Sequence, residues 1–366
     1  MSRPVRRWLG NLGLLLASVA AALILGELAA RLVLPPQPLY RTPQTLYDPH
    51  PQLGWILRPG QDAFTHAAPV HVNSLGLRDD DEVPREKPPG ERRVLVLGDS
   101  LTFGNGVATP ETYAARLQAI LREREPGVRV LNSGVPGWDV HQELDYLRER
   151  GLALQPDVVV VGFFANDVRP RLEDPAAAIG VDPRGRAELG GVRGLVPDEL
   201  VYAVKRLRVV SAILYGSQEL RYRLMPPRGD FWVAAIYENR ESPASRAAWD
   251  SVRASLAELR DLCAAHGIPL VLAVLPLRAQ VSPAPFTAGY QDRVLAIAAE
   301  LGIRAIDVLP AFVARGAEEG LFIPFDGHPN ERGHAVTAEL LAGPVGEALA
   351  RRRPAEADLA GAEGSR

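Results

Sequence analysis

Five short apolar runs, separated by stretches with helical spacing, organise the chain from Arg93 onward. Val94 to Leu97 lead straight into Gly98-Asp99-Ser100-Leu101. A β-branched and leucine segment closed by glycine predicts a buried parallel strand ending in a tight turn. Val128 to Asn132 predicts a second strand, Asp157 to Phe164 (DVVVVGFF) a third, Pro269 to Pro276 (PLVLAVLP) a fourth and Arg304 to Val308 a weaker fifth. Apolar residues recur at helical intervals over 110–125, 139–151, 247–266, 286–301 and 333–350. Strands alternating with such helices predict an α/β domain built on a doubly wound parallel sheet.

The amino-terminal pattern is of another kind. Trp8 to Gly26 carries no charge, and Arg3, Arg6 and Arg7 precede it. As a helix this stretch spans roughly 28 Å, about one hydrocarbon thickness. It predicts an uncleaved membrane anchor through residues 8–26, with the amino terminus left in the cytoplasm and the bulk of the chain extracytoplasmic. The alternative is a cleaved signal peptide and a secreted product. Cutting near Ser18-Val19-Ala20, however, would leave ALILGELAARLVL exposed on the mature protein. The organisation expected is therefore an anchor over 1–34, a linker and small leader over 35–92, a main domain over 93–350 and a disordered tail over 351–366. Pro35, Pro36 and Pro38 stop the helix, and turn signals at Leu53-Gly54, Pro59-Gly60 and Leu75-Gly76 suggest a small irregular or β-rich leader packed against the main domain. Residues 168–245 interrupt the strand–helix rhythm and read as an insertion beside the carboxyl edge of the sheet, with Tyr202, Tyr215, Tyr222, Phe231, Trp232 and Tyr237 crowded into it.

Composition narrows the possible chemistry. At 366 residues and 47% hydrophobic the chain can bury a large core, and a net charge of −3 offers no surface for nucleic acid. The single cysteine, Cys263, lies in an apolar helical run and reads as a buried structural thiol. His50, His66 and His71 have no metal-ligand spacing, so no metal and no cofactor are expected. His141 sits in DVHQELDYLRER and reads as solvated.

Four stretches fall where the carboxyl edge of the sheet is expected. They are Ser100 after the first strand, LNSGVPGWD with Asn132, Gly134 and Gly137 after the second, GFFANDV with Asn166-Asp167 after the third, and FDGHPNERGH with Asp326 and His328 near the end. A serine, backbone donors, a side-chain amide and an Asp/His pair are the parts an acyl-transfer site needs. In this order they resemble the SGNH or GDSL hydrolases, and the leader's GW, RPG and VNSLGLRDDDE are similar to a membrane-anchored bacterial subgroup of that family.

The resemblance implies a flavodoxin-like, five-stranded, three-layer α/β/α domain and a serine esterase. Ser100 would be the nucleophile, His328 the general base and Asp326 the residue that orients it. The Ser100 and Gly137 N–H groups and the Asn166 amide would form the oxyanion hole. The substrate would be a small-molecule or carbohydrate ester. An O-acyltransferase acting on polysaccharide, or a silent anchored binding scaffold, are the alternatives; oligomeric state is left open. The Asp326-Gly327-His328 spacing is one residue shorter than the commonest family pattern, which makes His334 the rival base. GFFAND also lengthens the usual Gly-x-Asn-Asp pattern at Gly162.

Overall fold

The structure is a computed structural model that describes residues 3–34, 40–172, 241–281, 289–324 and 326–352. It also describes short pieces between 180 and 213 (180–181, 185, 187–188, 200, 203–204, 206–210 and 212–213). The linker prolines, the insertion aromatics and the tail beyond 352 lie outside the described residues. Two compact units emerge, one of residues 1–39 with 194–226 and one of 40–193 with 227–366.

The first unit contains helix α1 (Arg3–Val33). Its segment Gly10–Val33 has a mean hydropathy of 2.2 and is long and apolar enough to cross a membrane. Beyond Gly26 the helix carries Glu27 and Arg31, which form an i,i+4 pair at 2.8 Å. The Glu27 carboxylate also accepts the N–H groups of Arg208 and Val209, both at 3.1 Å.

The second unit opens with two antiparallel ribbons, β1 (Tyr47–His50) with β2 (Gly54–Leu57) and β3 (Gln61–Thr65) with β4 (Ala68–Val72). The rhythm that follows is β5 (Arg92–Gly98), α2 (Ser100–Phe103), α3 (Tyr113–Arg122), β6 (Val128–Asn132), α4 (Val140–Tyr146) and β7 (Val158–Phe163). After a two-residue pair, β8 (Gly180–Val181) and β9 (Ala187–Glu188), it resumes as α5 (Pro243–Ala265), β10 (Leu270–Val274), α6 (Arg278–Val281), α7 (Gly289–Leu301), β11 (Arg304–Asp307), α8 (Leu309–Glu319) and α9 (Glu331–Arg351). The sheet is parallel in the order β11-β10-β7-β5-β6. The doubly wound, five-stranded sheet expected from the apolar runs is the one observed.

Successive strand residues face opposite ways, and each face has its own core. Leu95, Leu97, Val159, Val161, Leu272 and Val274 pack with α4, α5 and α7, and with Trp55, Leu57, Val70 and Val72 of the leader ribbons. Val94, Val96, Val158, Val160, Val271 and Ala273 pack with α3, α8 and α9. The continuous apolar runs in the sequence reflect this burial on both sides. Because β6 and β7 flank β5, the winding direction reverses between β5 and β7. A doubly wound sheet opens its ligand crevice at such a reversal.

His141 corrects one expectation. It is 3% exposed, with Nδ1 2.7 Å from Ser255 Oγ on α5 and Nε2 2.8 Å from the Arg169 carbonyl. The polar face of α4 is covered by α5, a packing that the local pattern around His141 does not reveal.

Candidate active site

Ser100 is the first residue of α2, directly after β5. Asp99 caps the turn, its Oδ1 accepting the Leu101 N–H at 2.8 Å. Gly98 lets strand and helix meet so closely: a Cβ there would fall 2.0 Å from Thr102 Oγ1. The serine hydroxyl is thereby turned to the carboxyl edge of the sheet.

The loop before α9 brings its imidazole to that hydroxyl. His328 Nε2 lies 2.9 Å from Ser100 Oγ, and His328 Nδ1 lies 2.5 Å from Asp326 Oδ1. The same Oδ1 accepts the His328 backbone N–H at 2.9 Å. This tight turn explains how a one-residue spacing suffices, since Asp326 reaches both groups of His328 with one oxygen. With the Nδ1 proton donated to Asp326, Nε2 keeps a lone pair facing the serine. The loop itself is pinned by the Ile323 N–H on the His328 carbonyl at 3.0 Å and by the Asn330 N–H on the Leu321 carbonyl at 3.0 Å.

Electrostatics favours a proton on this imidazole when it is called for. Burial alone would lower the His328 pKa, but the hydrogen bond and charge of Asp326, with the charge of Asp99, raise it above the ordinary value. Burial acts to raise the Asp326 pKa, yet hydrogen bonds from His328 and His66 and their charges hold it well below the carboxylate range. His334 behaves in the opposite way. It is 1% exposed, its Nδ1 accepts the Tyr113 N–H at 3.1 Å, and its ring stacks on Tyr113. Burial, then the charges of Arg78, His328 and Arg116, lower its pKa to about 3. His334 is therefore a neutral packing residue, and of the two histidines only His328 meets the serine.

Asn166 follows β7, and its Nδ2 donates to Asp99 Oδ2 at 2.8 Å, which ties the third stretch to the first. Gly137 adopts a left-handed φ of +86° with the Trp55 indole beneath it. Trp55 Nε1 donates to the Pro136 carbonyl at 3.0 Å, and Trp138 Nε1 returns a bond to the Trp55 carbonyl at 2.8 Å. Asp167 is buried and accepts the Phe164 N–H at 2.6 Å, a loop-fixing role. Gly162 lies within β7 opposite Gly98, in the sheet rather than in the loop.

A family model matches residues 96–336, described as the GDSL-like Lipase/Acylhydrolase family. This chain belongs to that family. No curated protein matches the chain. Among solved structures, a catalytic mutant of Axe2, an acetylxylan esterase from Geobacillus stearothermophilus, is 16% identical with a TM-score of 0.41, covering 72% of this chain and 96% of that one. LAE5, an alpha/beta hydrolase enzyme from the metagenome of Lake Arreo, Spain, is 18% identical with a TM-score of 0.40, covering 72% and 96%. TesA is 16% identical with a TM-score of 0.41, covering 70% and 99%.

Two polar residues at the GDSL site escape a reading of its sequence. Asn105 Nδ2 lies 3.3 Å from His328 Nε2, and His66 Nε2 lies 3.1 Å from Asp326 Oδ2. Asn105 stands in the GDSLTFGNG stretch, five residues after the serine, where it had a positional signal. His66 lies 260 residues from Asp326 and had none.

Proposed function

We propose that the protein is a serine esterase that cleaves O-acyl esters, with acetyl and other short acyl groups as the substrate class. The observation that carries this reading is the continuous chain from Ser100 Oγ through His328 to Asp326, with contacts of 2.9 and 2.5 Å. A serine hydroxyl is a poor nucleophile until a neighbouring imidazole takes its proton.

In this reading Ser100 Oγ bonds to the ester carbonyl carbon while its proton passes to His328 Nε2. Asp326 holds the imidazolium that forms. The carbonyl oxygen becomes an oxyanion facing the N–H groups of Ser100 and Gly137 and the Asn166 amide, whose Nδ2 would exchange its long 3.4 Å contact with the Trp138 carbonyl for the oxyanion while keeping its bond to Asp99. Each such donor lowers the barrier by about 3–4 kcal/mol. The intermediate collapses when His328 gives its proton to the departing alkoxide, releasing the alcohol and leaving the acyl group on Ser100. Water then repeats the sequence and frees the acid. Helix segment Gly10–Val33, with arginines on its amino side, would hold this catalytic unit at the extracytoplasmic face of a membrane.

Full-length protein in detergent, treated with a fluorophosphonate probe, tests the reading. Wild type should take one label, and Ser100→Ala should take none while keeping its melting temperature. A folded wild type that resists the probe overturns it.

A further inference from the structure

The leader reaches the candidate site at two places. Arg78, 1% exposed, donates to the carbonyls of Phe103, Gly104 (2.7 Å) and Val107 (2.5 Å), which binds the loop after α2 to the leader. The turn between β3 and β4 then touches the same loop. Thr65 Oγ1 accepts the Gly106 N–H at 3.1 Å, and the same hydroxyl lies 3.2 Å from Asn105 Oδ1, which it meets as donor. His66 follows at the tip of this turn, with a left-handed φ of +54°, 9% exposed, and Tyr40 packed at 4.7 Å between ring centroids. Its ring lies so near Gly106 that a Cβ there would stand 2.9 Å from Nδ1. Nε2 is thus directed at Asp326 Oδ2, at 3.1 Å.

We infer that His66 is a positioning residue for the general base: its imidazole holds the second oxygen of Asp326 and so fixes the carboxylate on which His328 is oriented. The inference rests on the serine-esterase reading for its catalytic consequence, and on the geometry alone for the hydrogen bond. Asp326 Oδ1 is occupied by both N–H groups of His328, so its remaining oxygen sets the rotation of the carboxylate about Cβ–Cγ. A carboxylate free to rotate would present its lone pair to Nδ1 in only part of its conformations, and a base misplaced by a fraction of an ångström loses rate. His66 achieves this from outside the matched family region, which begins at residue 96. The leader therefore supplies part of the catalytic apparatus rather than a spacer between anchor and enzyme. Among the described residues, the charged or titratable groups facing this point are Asp326 itself, His328 and Tyr40, with Arg278 on the Asp326 carbonyl at 3.1 Å and Asp99 acting on His328.

A donor at this place also withdraws charge from Asp326. Without it the carboxylate would pull harder on the His328 proton, and the base would titrate at higher pH.

The test compares His66→Gln with His66→Met in the full-length protein. Both replacements have similar length and bear the same backbone cost at a left-handed position, and only glutamine can donate to Asp326. Two readouts are taken: the His328 titration by NMR, which needs no turnover, and the pH dependence of kcat and KM on a p-nitrophenyl ester. Expected for His66→Met is a fall in kcat of about tenfold with KM unchanged and an upward move of the His328 titration of about half a unit, with His66→Gln close to wild type on both. If methionine matches wild type, or if glutamine is impaired as much as methionine, the hydrogen bond has no positioning role and the inference is overturned. His66→Asn, which tolerates the left-handed turn but is too short to reach Asp326, replaces methionine if that variant does not fold. A wild type that takes no fluorophosphonate label would defeat the esterase reading, while the NMR comparison would still decide the His66 bond.

Discussion

Asp326 and Glu143 are both carboxylates withdrawn from solvent in the same α/β unit, and their surroundings shift their pKa values in opposite directions. The side chain of Asp326 is 12% exposed, and its two oxygens receive His328 and His66. Glu143, on α4, is fully buried, and neither of its oxygens meets a hydrogen-bond donor among the described residues. Burial, then repulsion from Asp167, Asp99 and Asp139, raises the Glu143 pKa well above its ordinary value. Asp167 is raised in the same way, by burial and by Asp99, despite the Phe164 N–H on one oxygen. The two sites differ in depth and, more sharply, in the donors that reach them. Burial and like-charged neighbours push a carboxyl toward its neutral form, and donors aimed at both oxygens favour the charge that an imidazolium needs as its partner.

The same isosteric change at each site should separate them most sharply. Asp326→Asn should lower kcat by about ten-thousand-fold, because the amide no longer holds His328 in the tautomer that faces Ser100. Glu143→Gln should leave kcat within about twofold, since the surroundings of Glu143 favour the neutral form that glutamine mimics. Comparable losses in the two variants would erase the contrast.

The charge state of Asp326 should also appear in the pH profile. Because the His328 pKa is raised above 6.5, kcat/KM should fall about tenfold per unit as pH drops through a midpoint above that value. An acid limb centred below 6.5 would mean that Asp326 does not support the imidazolium.

The smallest effect is on stability, and its sign differs between the sites. A carboxyl with a raised folded pKa opposes folding increasingly as pH rises above its unfolded pKa, because the folded state must retain a proton that the unfolded chain releases. Glu143→Gln should therefore raise Tm at pH 8 by about 2–4 °C and leave it unchanged near pH 4. Asp326, with its depressed pKa, contributes stability above the unfolded value and loses it as pH falls through the folded one. Calorimetry of both variants across this range would reveal the crossing slopes, and parallel slopes would refute the assignment.

Much of this was legible along the chain. The five strands appear as apolar runs because a parallel sheet covered on both faces needs no alternation, so Val94–Leu97 and Val158–Val161 stand out without any knowledge of their partners. Ser100 and Asn166 stand out because each comes shortly after a strand whose end is local, while His328, on the loop between α8 and α9, is named by the family resemblance. His141 was misjudged because its environment comes from α5, more than a hundred residues away. His66 was passed over because nothing near it in sequence suggests a partner at residue 326.

The sequence by itself therefore determined the architecture of the sheet and the apolar amino-terminal helix, since these depend on periodicity, and through its family resemblance it named the candidate reactive groups. Tertiary structure alone decided which of two nearby histidines meets the serine, and that a ribbon ahead of the catalytic fold places His66 against Asp326. It also decided in which direction the pKa of each buried acid is shifted. Those outcomes depend on distances of about 3 Å between groups brought together only when both faces of the sheet are covered, and no local pattern encodes them.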